Sequence, residues 1–199
     1  MPAPAQMAQP TAETSAPIIS NARLGLLIFL AAETMLFAGL IGGYLVLRYA
    51  TTTWPPPGQP YLPIGITWGN TAVLLGSAIL MQLALQAVGN GKRSSALRRL
   101  VGTAALGVLF LAVQGSEWVR LLRHGLTVAH GVYGAIFMVL IGLHGVHVLA
   151  AVAWLSALVL YVRAQRFLAG SYQAVDLGRI YWFFVCALWL VLFKVVYLG

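Results

Sequence analysis

The sequence predicts an all-α integral membrane protein, a bundle of five antiparallel transmembrane helices preceded by a flexible N-terminal tail. Two observations lead to this prediction. Hydrophobic residues make up 60% of the 199 positions and charged residues only 8%, which leaves too little polar surface for a soluble domain. The apolar residues also fall into five segments, each near the roughly 20 residues that a helix needs to cross a bilayer.

The first element is a tail over residues 1–22, rich in Ala, Pro, Ser and Thr. It has neither a basic start nor an apolar core, so we predict a flexible tail and not a cleaved signal peptide. The membrane domain then covers residues 23–199. Because lipid offers the backbone no hydrogen bonds, each apolar segment is predicted to be a helix. The five helices are placed at about residues 24–47, 64–88, 97–119, 132–162 and 179–198.

The basic residues predict the orientation of this bundle. They cluster at segment ends and form no stripe with exposed aromatics, so we expect no nucleic-acid partner. With the N-terminus in the cytoplasm, eight of the twelve Lys and Arg residues lie inside, which favours a cytoplasmic N-terminus and an outer C-terminus. The eight are Arg23, Lys92, Arg93, Arg98, Arg99, Arg163, Arg166 and Arg179, against Arg48, Arg120, Arg123 and Lys194 outside.

Three polar residues interrupt the apolar segments and form the first candidate site. Glu33 lies nine residues into the first helix, about 14 Å from the cytoplasmic edge, and His144 lies at about 12 Å on the fourth. His147 shares the face of His144, because residues three apart lie one turn along a helix. We therefore expect Glu33 to meet the His144/His147 face, either as a structural hydrogen bond between helices or as part of a proton relay.

Metal and haem sites are not expected in this chain. The single cysteine, Cys186, excludes sites built from several cysteines. All four histidines fall between the end of the third helix and the fourth, so no facing helix supplies a second histidine to a haem. A haem held by histidine with Met35 or Met81 is the one remaining arrangement, and it is disfavoured.

A second polar group lies near the outer end of the third helix, where Gln114 and Glu117 are three residues apart. They are predicted to pair with each other or with Arg120 and Arg123, or simply to face the lipid headgroups.

Several motifs resemble subunit III of haem-copper terminal oxidases, in its short five-helix form. WPPPGQPYLPIGITWGNTAVLLGS is similar to the segment that leads into one of that family's helices, and AETMLFAGL is similar to its glutamate-bearing helix. QGSEW, GLT, YGAIF and GLHGVHV follow in the family's order over about 175 residues. The motif residues in the first segment include Trp54, Pro55, Asn70 and Thr71.

The resemblance implies a non-catalytic subunit in a bacterial or archaeal cell membrane. In that family subunit I holds the haems and a copper, and subunit II delivers electrons. Subunit III is thought to stabilise subunit I, to bind phospholipid and to support proton uptake. The resemblance thus implies subunits I and II and membrane lipids as partners, leaves membership of a larger respiratory supercomplex open, and implies no cofactor in this chain.

The sequence departs from the family's pattern at two places. The seven-helix form carries two further N-terminal helices across a lipid-filled cleft, so a full cleft is not expected within this chain. In the last helix Phe183 and Cys186 stand where the family usually has histidine and aspartate.

Other functions remain open at this point. The nearest alternatives are the equivalent subunit of a quinol oxidase and a nitric oxide reductase accessory protein. A small transporter coupled through Glu33 is more distant, because no inverted repeat or broken helix pair is visible.

Overall fold

The computed structural model of the chain describes residues 20–54, 63–124, 131–164 and 171–198. Within these ranges five helices are long and apolar enough to cross a membrane, which confirms the predicted fold class. A π-helical turn, Phe193–Tyr197, continues the last of them. The helices are α1 (Asn21–Tyr49), α2 (Ile64–Gly89), α3 (Arg93–Arg123), α4 (Val132–Arg163) and α5 (Ser171–Leu192).

Three helices extend beyond the predicted apolar segments by more than one residue. α1 already includes Asn21 and Ala22, which were assigned to the tail, whose residues 1–19 lie outside the described part of the chain. α3 covers Arg93–Arg123 instead of 97–119, and α5 begins at Ser171 instead of Arg179. Apolarity locates only the part of a helix that fits lipid, whereas the internal hydrogen bonds of a helix also persist in the headgroup region.

Four of the helices enclose the core. α2 packs against α3 and α5, and α4 also packs against α3 and α5, so these four helices form a closed ring. α1 lies outside the ring against α4 and α5. Its buried residues are Leu30, Phe37 and Tyr44, whose spacing of seven places them on one face of the helix. Glu33 follows Leu30 by one turn, and α1 therefore points this carboxyl group toward the ring.

Two tryptophans of α5 fix this helix to α2. Trp182 and Trp189 are fully buried and lie two turns apart on one face. The indole nitrogen of Trp189 donates to the hydroxyl of Thr71 at 2.9 Å, and that of Trp182 donates to the hydroxyl of Ser77 at 3.1 Å. Gly107 of α3 allows the ring of Trp182 to approach, because a Cβ at this position would lie 2.7 Å from it.

Contacts at one end of the bundle show that the helices alternate in direction. Ser20, which caps α1, accepts a hydrogen bond from Gln173 near the start of α5 at 2.7 Å. Arg93, at the start of α3, donates to the carbonyls of Val162 and Arg163 at the end of α4, at 3.1 and 2.8 Å. The N-terminal ends of α1, α3 and α5 therefore lie at the same end of the bundle as the C-terminal end of α4.

Candidate functional site

Glu33 of α1 and His147 of α4 meet inside the bundle. Nε2 of His147 lies 3.0 Å from Oε2 of Glu33, and the two side chains are only 11% and 16% exposed. Phe37, one turn beyond Glu33, packs edge-on against the imidazole with ring centroids 5.3 Å apart. The pair thus lies between two transmembrane helices and is partly shielded by an aromatic ring.

The geometry of His147 places an oxygen atom within hydrogen-bond distance of each ring nitrogen. Its Nδ1 lies 2.8 Å from the carbonyl oxygen of Leu143, which can only accept, so Nδ1 carries a hydrogen. If Nε2 were bare and Glu33 ionised, two lone pairs would face each other at 3.0 Å. A hydrogen bond between Nε2 and Oε2 needs one further proton, on Nε2 or on the carboxyl group, and with it the pair is either an ion pair or a neutral acid with a neutral imidazole.

His144 does not join this pair, contrary to the expectation that both histidines face Glu33. It points into the ring of helices, where its imidazole stacks on Trp189 of α5 with centroids 5.3 Å apart. Phe110 of α3 lies edge-on to it at 6.5 Å. Residues three apart differ by about 60° around a helix axis, and this angle is enough to aim one histidine at α1 and the other at α3 and α5.

Gln114 takes part in a polar network that joins three elements. Its amide nitrogen donates to the hydroxyl of Tyr197 in the π-helical turn at 2.9 Å. Asn70 of α2 donates to the Gln114 side-chain oxygen at 3.4 Å and to the carbonyl of Phe110 at 3.1 Å. Gln114 and Asn70 are therefore interhelical contacts, and the predicted pairing of Gln114 with Glu117 or with arginine does not occur.

Glu117 does pair with Arg120, one of the two arginines proposed for it. The ion pair is loose, with 3.8 Å between Oε2 of Glu117 and a guanidinium nitrogen of Arg120. The Arg120 side chain is 62% exposed. The Glu117 side chain is only 12% exposed, and at 3.8 Å the pair leaves its buried Oε2 without a hydrogen-bond partner among the described residues, so the contact stabilises the fold little.

The remaining motif residues are structural contacts where the structure describes them. Trp54 donates from its indole nitrogen to the hydroxyl of Tyr44 at 3.2 Å and packs edge-on against Tyr133 of α4. Thr71 accepts from Trp189, as described above, and donates to the carbonyl of Thr67 at 2.7 Å. Pro55 lies outside the described residues.

Sequence reasoning missed an ion pair in α5. Arg179 was assigned to the cytoplasmic edge, but it lies within the helix and contacts Asp176 through two guanidinium nitrogens at 2.7 and 3.1 Å. Gln82 of α2 also accepts from Arg179, at 3.4 Å. The signal that could have found this pair was the three-residue spacing of an acid and a base. Asp176 lies before the predicted start of the helix, so this spacing fell outside the predicted helical segment.

No cluster of three or more His, Cys, Asp or Glu side chains arranged for a metal ion occurs among the residues that the structure describes. Cys186 is buried and makes no disulfide.

Comparison with known proteins identifies the family. A model described as cytochrome c oxidase subunit III matches residues 8–199 of the chain. The chain belongs to the cytochrome c oxidase subunit III family. The resemblance drawn from the motifs is thereby confirmed.

Relatives within the cytochrome c oxidase subunit III family come from distant organisms. The chain is 34% identical to cytochrome c oxidase subunit 3 of Synechocystis sp. over 180 residues, which cover 87% of this chain and 74% of the relative. It is 31% identical to that of Cyprinus carpio, covering 91% and 70%, and 30% identical to that of Lumbricus terrestris, covering 90% and 71%. As a member of this family, the chain is a multi-pass membrane protein that associates with an oxidase complex.

Proposed function

We propose that this chain is the non-catalytic subunit III of a respiratory haem-copper oxygen reductase, in which it stabilises subunit I and supports proton uptake during turnover. Its direct partners in this proposal are subunits I and II. The haems and copper belong to those partners, and this chain holds no cofactor of its own. Membership of the family supports the assignment to the complex.

The observation that carries the proposed proton role is the Glu33–His147 pair. A carboxyl group and an imidazole at 3.0 Å, linked by one proton, form a proton-holding group in a region where few other groups can take a proton. The pair is not sealed off, because both side chains keep a small exposed fraction. It can therefore exchange its proton with a neighbouring group or with water at the surface of the bundle.

The surface of α1 supports a role in packing against a partner. Most of this helix faces away from the ring, and Met35, Val46 and Tyr49 are between 70% and 81% exposed. In the complex these side chains contact either lipid or a partner subunit. Bound phospholipid belongs to the proposal for the same reason, since the exposed helix faces are apolar.

The proposed location is a bacterial or archaeal cell membrane, with the N-terminus in the cytoplasm. The bundle end that holds Ser20 and Gln173 also carries Lys92, Arg93 and Arg163. Basic residues favour the cytoplasmic side of a membrane, and this supports the orientation.

Thiol labelling from each side of the membrane tests this orientation. Cys186 is buried, so an introduced thiol is read against a low background. We expect Ser94→Cys, which is exposed in the first turn of α3, to react only with reagent from the cytoplasmic side. Thr52→Cys, which is exposed beyond α1, serves as the matched variant and should react only from outside. Labelling of Ser94→Cys from outside would overturn the orientation.

Gentle solubilisation followed by capture of a tagged chain tests the assignment to an oxidase. We expect the captured material to contain haem-bearing membrane subunits, visible in an optical spectrum and identified by mass spectrometry. Recovery of the chain without any haem protein, under conditions that preserve oxidase activity in the membrane extract, would contradict the proposal and favour a transporter.

A further inference from the structure

An apolar groove between α3 and α4 is lined in part by His144, a histidine without a hydrogen-bond partner among the described residues. The groove has a volume of about 310 Å³, at the lower end of the roughly 300–1,000 Å³ typical of small-molecule sites. Its walls include Phe110, Gly115 and Trp118 from α3 and Gly142, His144 and Gly145 from α4. Val146 and Leu149, also in its lining, are 61% and 60% exposed, so the groove opens sideways from the bundle.

His144 is 1% exposed, and neither of its ring nitrogens has a hydrogen-bond partner among the described residues. A neutral imidazole offers one N–H donor and one acceptor nitrogen. Leaving such a group buried and unpaired costs about 1–3 kcal/mol in proteins in general, and the hydrocarbon chains of lipid cannot relieve this cost because they form no hydrogen bonds.

The polar groups around His144 are already engaged elsewhere. The indole nitrogen of Trp189, which stacks on the imidazole, donates to Thr71. The indole nitrogen of Trp118 donates to the sulfur of Met138 at 2.8 Å. The amide nitrogen of Gln114 donates to Tyr197. His144 is thus the side chain of the groove lining whose ring nitrogens have no partner among the described residues, and because both nitrogens are almost completely buried an occupant reaches them only with a shift of the groove walls.

The depth of His144 restricts the chemistry of that occupant. His144 follows the start of α4 by twelve residues, about 18 Å along the axis of a helix of 32 residues. In a hydrocarbon core roughly 30 Å thick centred on this helix, His144 lies about 9 Å from the outer edge of the core, nearer to that edge than the sequence estimate places it, because α4 projects beyond the core at both ends. None of the described residues that line the groove is Lys, Arg, Asp or Glu. A charged phosphate at this depth would therefore have no counter-charge.

We propose that the groove binds an uncharged membrane amphiphile, whose hydroxyl or carbonyl oxygen hydrogen-bonds to His144 while its apolar part lies between α3 and α4. The aromatic and glycine-lined walls accommodate a chain or a flat ring. Burying an uncharged hydroxyl or carbonyl group at this depth costs far less free energy than burying a phospholipid headgroup. This site lies apart from the Glu33–His147 pair and does not depend on the proposed proton role.

Photolabelling of the intact complex tests the site. The complex is reconstituted in nanodiscs with a diazirine-bearing long-chain alcohol or, for comparison, a phosphatidylcholine that carries the diazirine on its acyl chain. Labelled peptides are then mapped by mass spectrometry. We expect the alcohol probe to label the Phe110–Trp118 and Ile141–Leu149 segments saturably, and excess dodecanol to displace it. The phosphatidylcholine should label the same segments weakly and without saturation.

Three variants identify the determinants. His144→Phe keeps a ring of similar shape but removes the hydrogen bond, so the probe should bind roughly two- to tenfold more weakly. Gly145→Leu fills the groove and should abolish saturable labelling. Gly39→Leu on α1 is the matched control, because a Cβ at either glycine meets nothing within 4 Å, and it should leave labelling unchanged.

Three results would overturn the proposal. Equal, unsaturable labelling by both probes would mean ordinary lipid contact. Absence of labelling in the intact complex would mean that a partner subunit covers the groove. Unchanged affinity in His144→Phe, with Gly145→Leu still labelled, would mean that neither the histidine nor the groove forms a site.

Discussion

An oxidase from which this subunit has been removed is expected to keep its haem and copper spectra but to lose activity after several-fold fewer turnovers than the intact complex. The chain is proposed to hold no cofactor, so its removal takes no redox centre away. It does take away a membrane partner of subunit I and a proton-holding group. Both losses should impair continued turnover and proton supply, whereas neither should change the first reduction of the haems.

Oxygen consumption is followed until the enzyme loses its activity, in matched preparations with and without the subunit. Optical spectra are taken before turnover begins. Adding the purified subunit back is the control, and it should restore the working life. Loss of haem or copper signals on clean removal, before any turnover, would contradict the account.

The second large effect concerns Glu33 of α1 and His147 of α4, whose side chains lie 3.0 Å apart. Changing Glu33→Ala or His147→Ala leaves the other group buried without its proton-sharing partner, which costs more than removing both. The double variant should therefore be less harmful than the sum of the single changes. Interhelical polar contacts in membranes are worth about 0.6 kcal/mol on average and rarely above about 1.7 kcal/mol, so the coupling should be small but measurable.

His144 provides the matched control for this cycle. It lies on the same helix but contacts Trp189 and not Glu33, so Glu33→Ala combined with His144→Ala should be additive. Both cycles can be measured through the thermal stability of the complex or the retention of the subunit. If the effect of Glu33→Ala were coupled to that of His144→Ala but additive with that of His147→Ala, α4 would be rotated differently about its axis in the complex.

Much of the fold could be predicted from the sequence because lipid restricts the choices. Each apolar segment must be a helix, and short connections force neighbours to run antiparallel. The polar start of α5 escaped prediction, since Ser171–Arg179 has the composition of a connection. It is helical because Arg179 and Asp176 pair along the helix and Gln173 reaches the cap of α1.

The candidate site was predictable only in part. Helix depth correctly indicated that Glu33 and the fourth helix's histidines lie at one level. Depth carries no information about the rotation of a helix about its axis, and this rotation decides that His147, rather than His144, faces α1. The anchoring roles of Trp182 and Trp189, whose indole nitrogens donate to Ser77 and Thr71, were not predicted. Their spacing of seven residues was the available signal.

The most direct test of the proposed function is proton uptake by the intact complex carrying Glu33→Gln. The amide can still donate a hydrogen to Nε2 of His147, so packing should survive, but it cannot release a proton as a carboxyl group does. Uptake is followed with a pH-indicator dye during a single turnover, with subunit retention measured in the same sample. We expect slower proton uptake, with haem reduction and subunit content unchanged. Proton uptake at the wild-type rate, with the subunit fully retained, would show that the Glu33–His147 pair is only a structural contact.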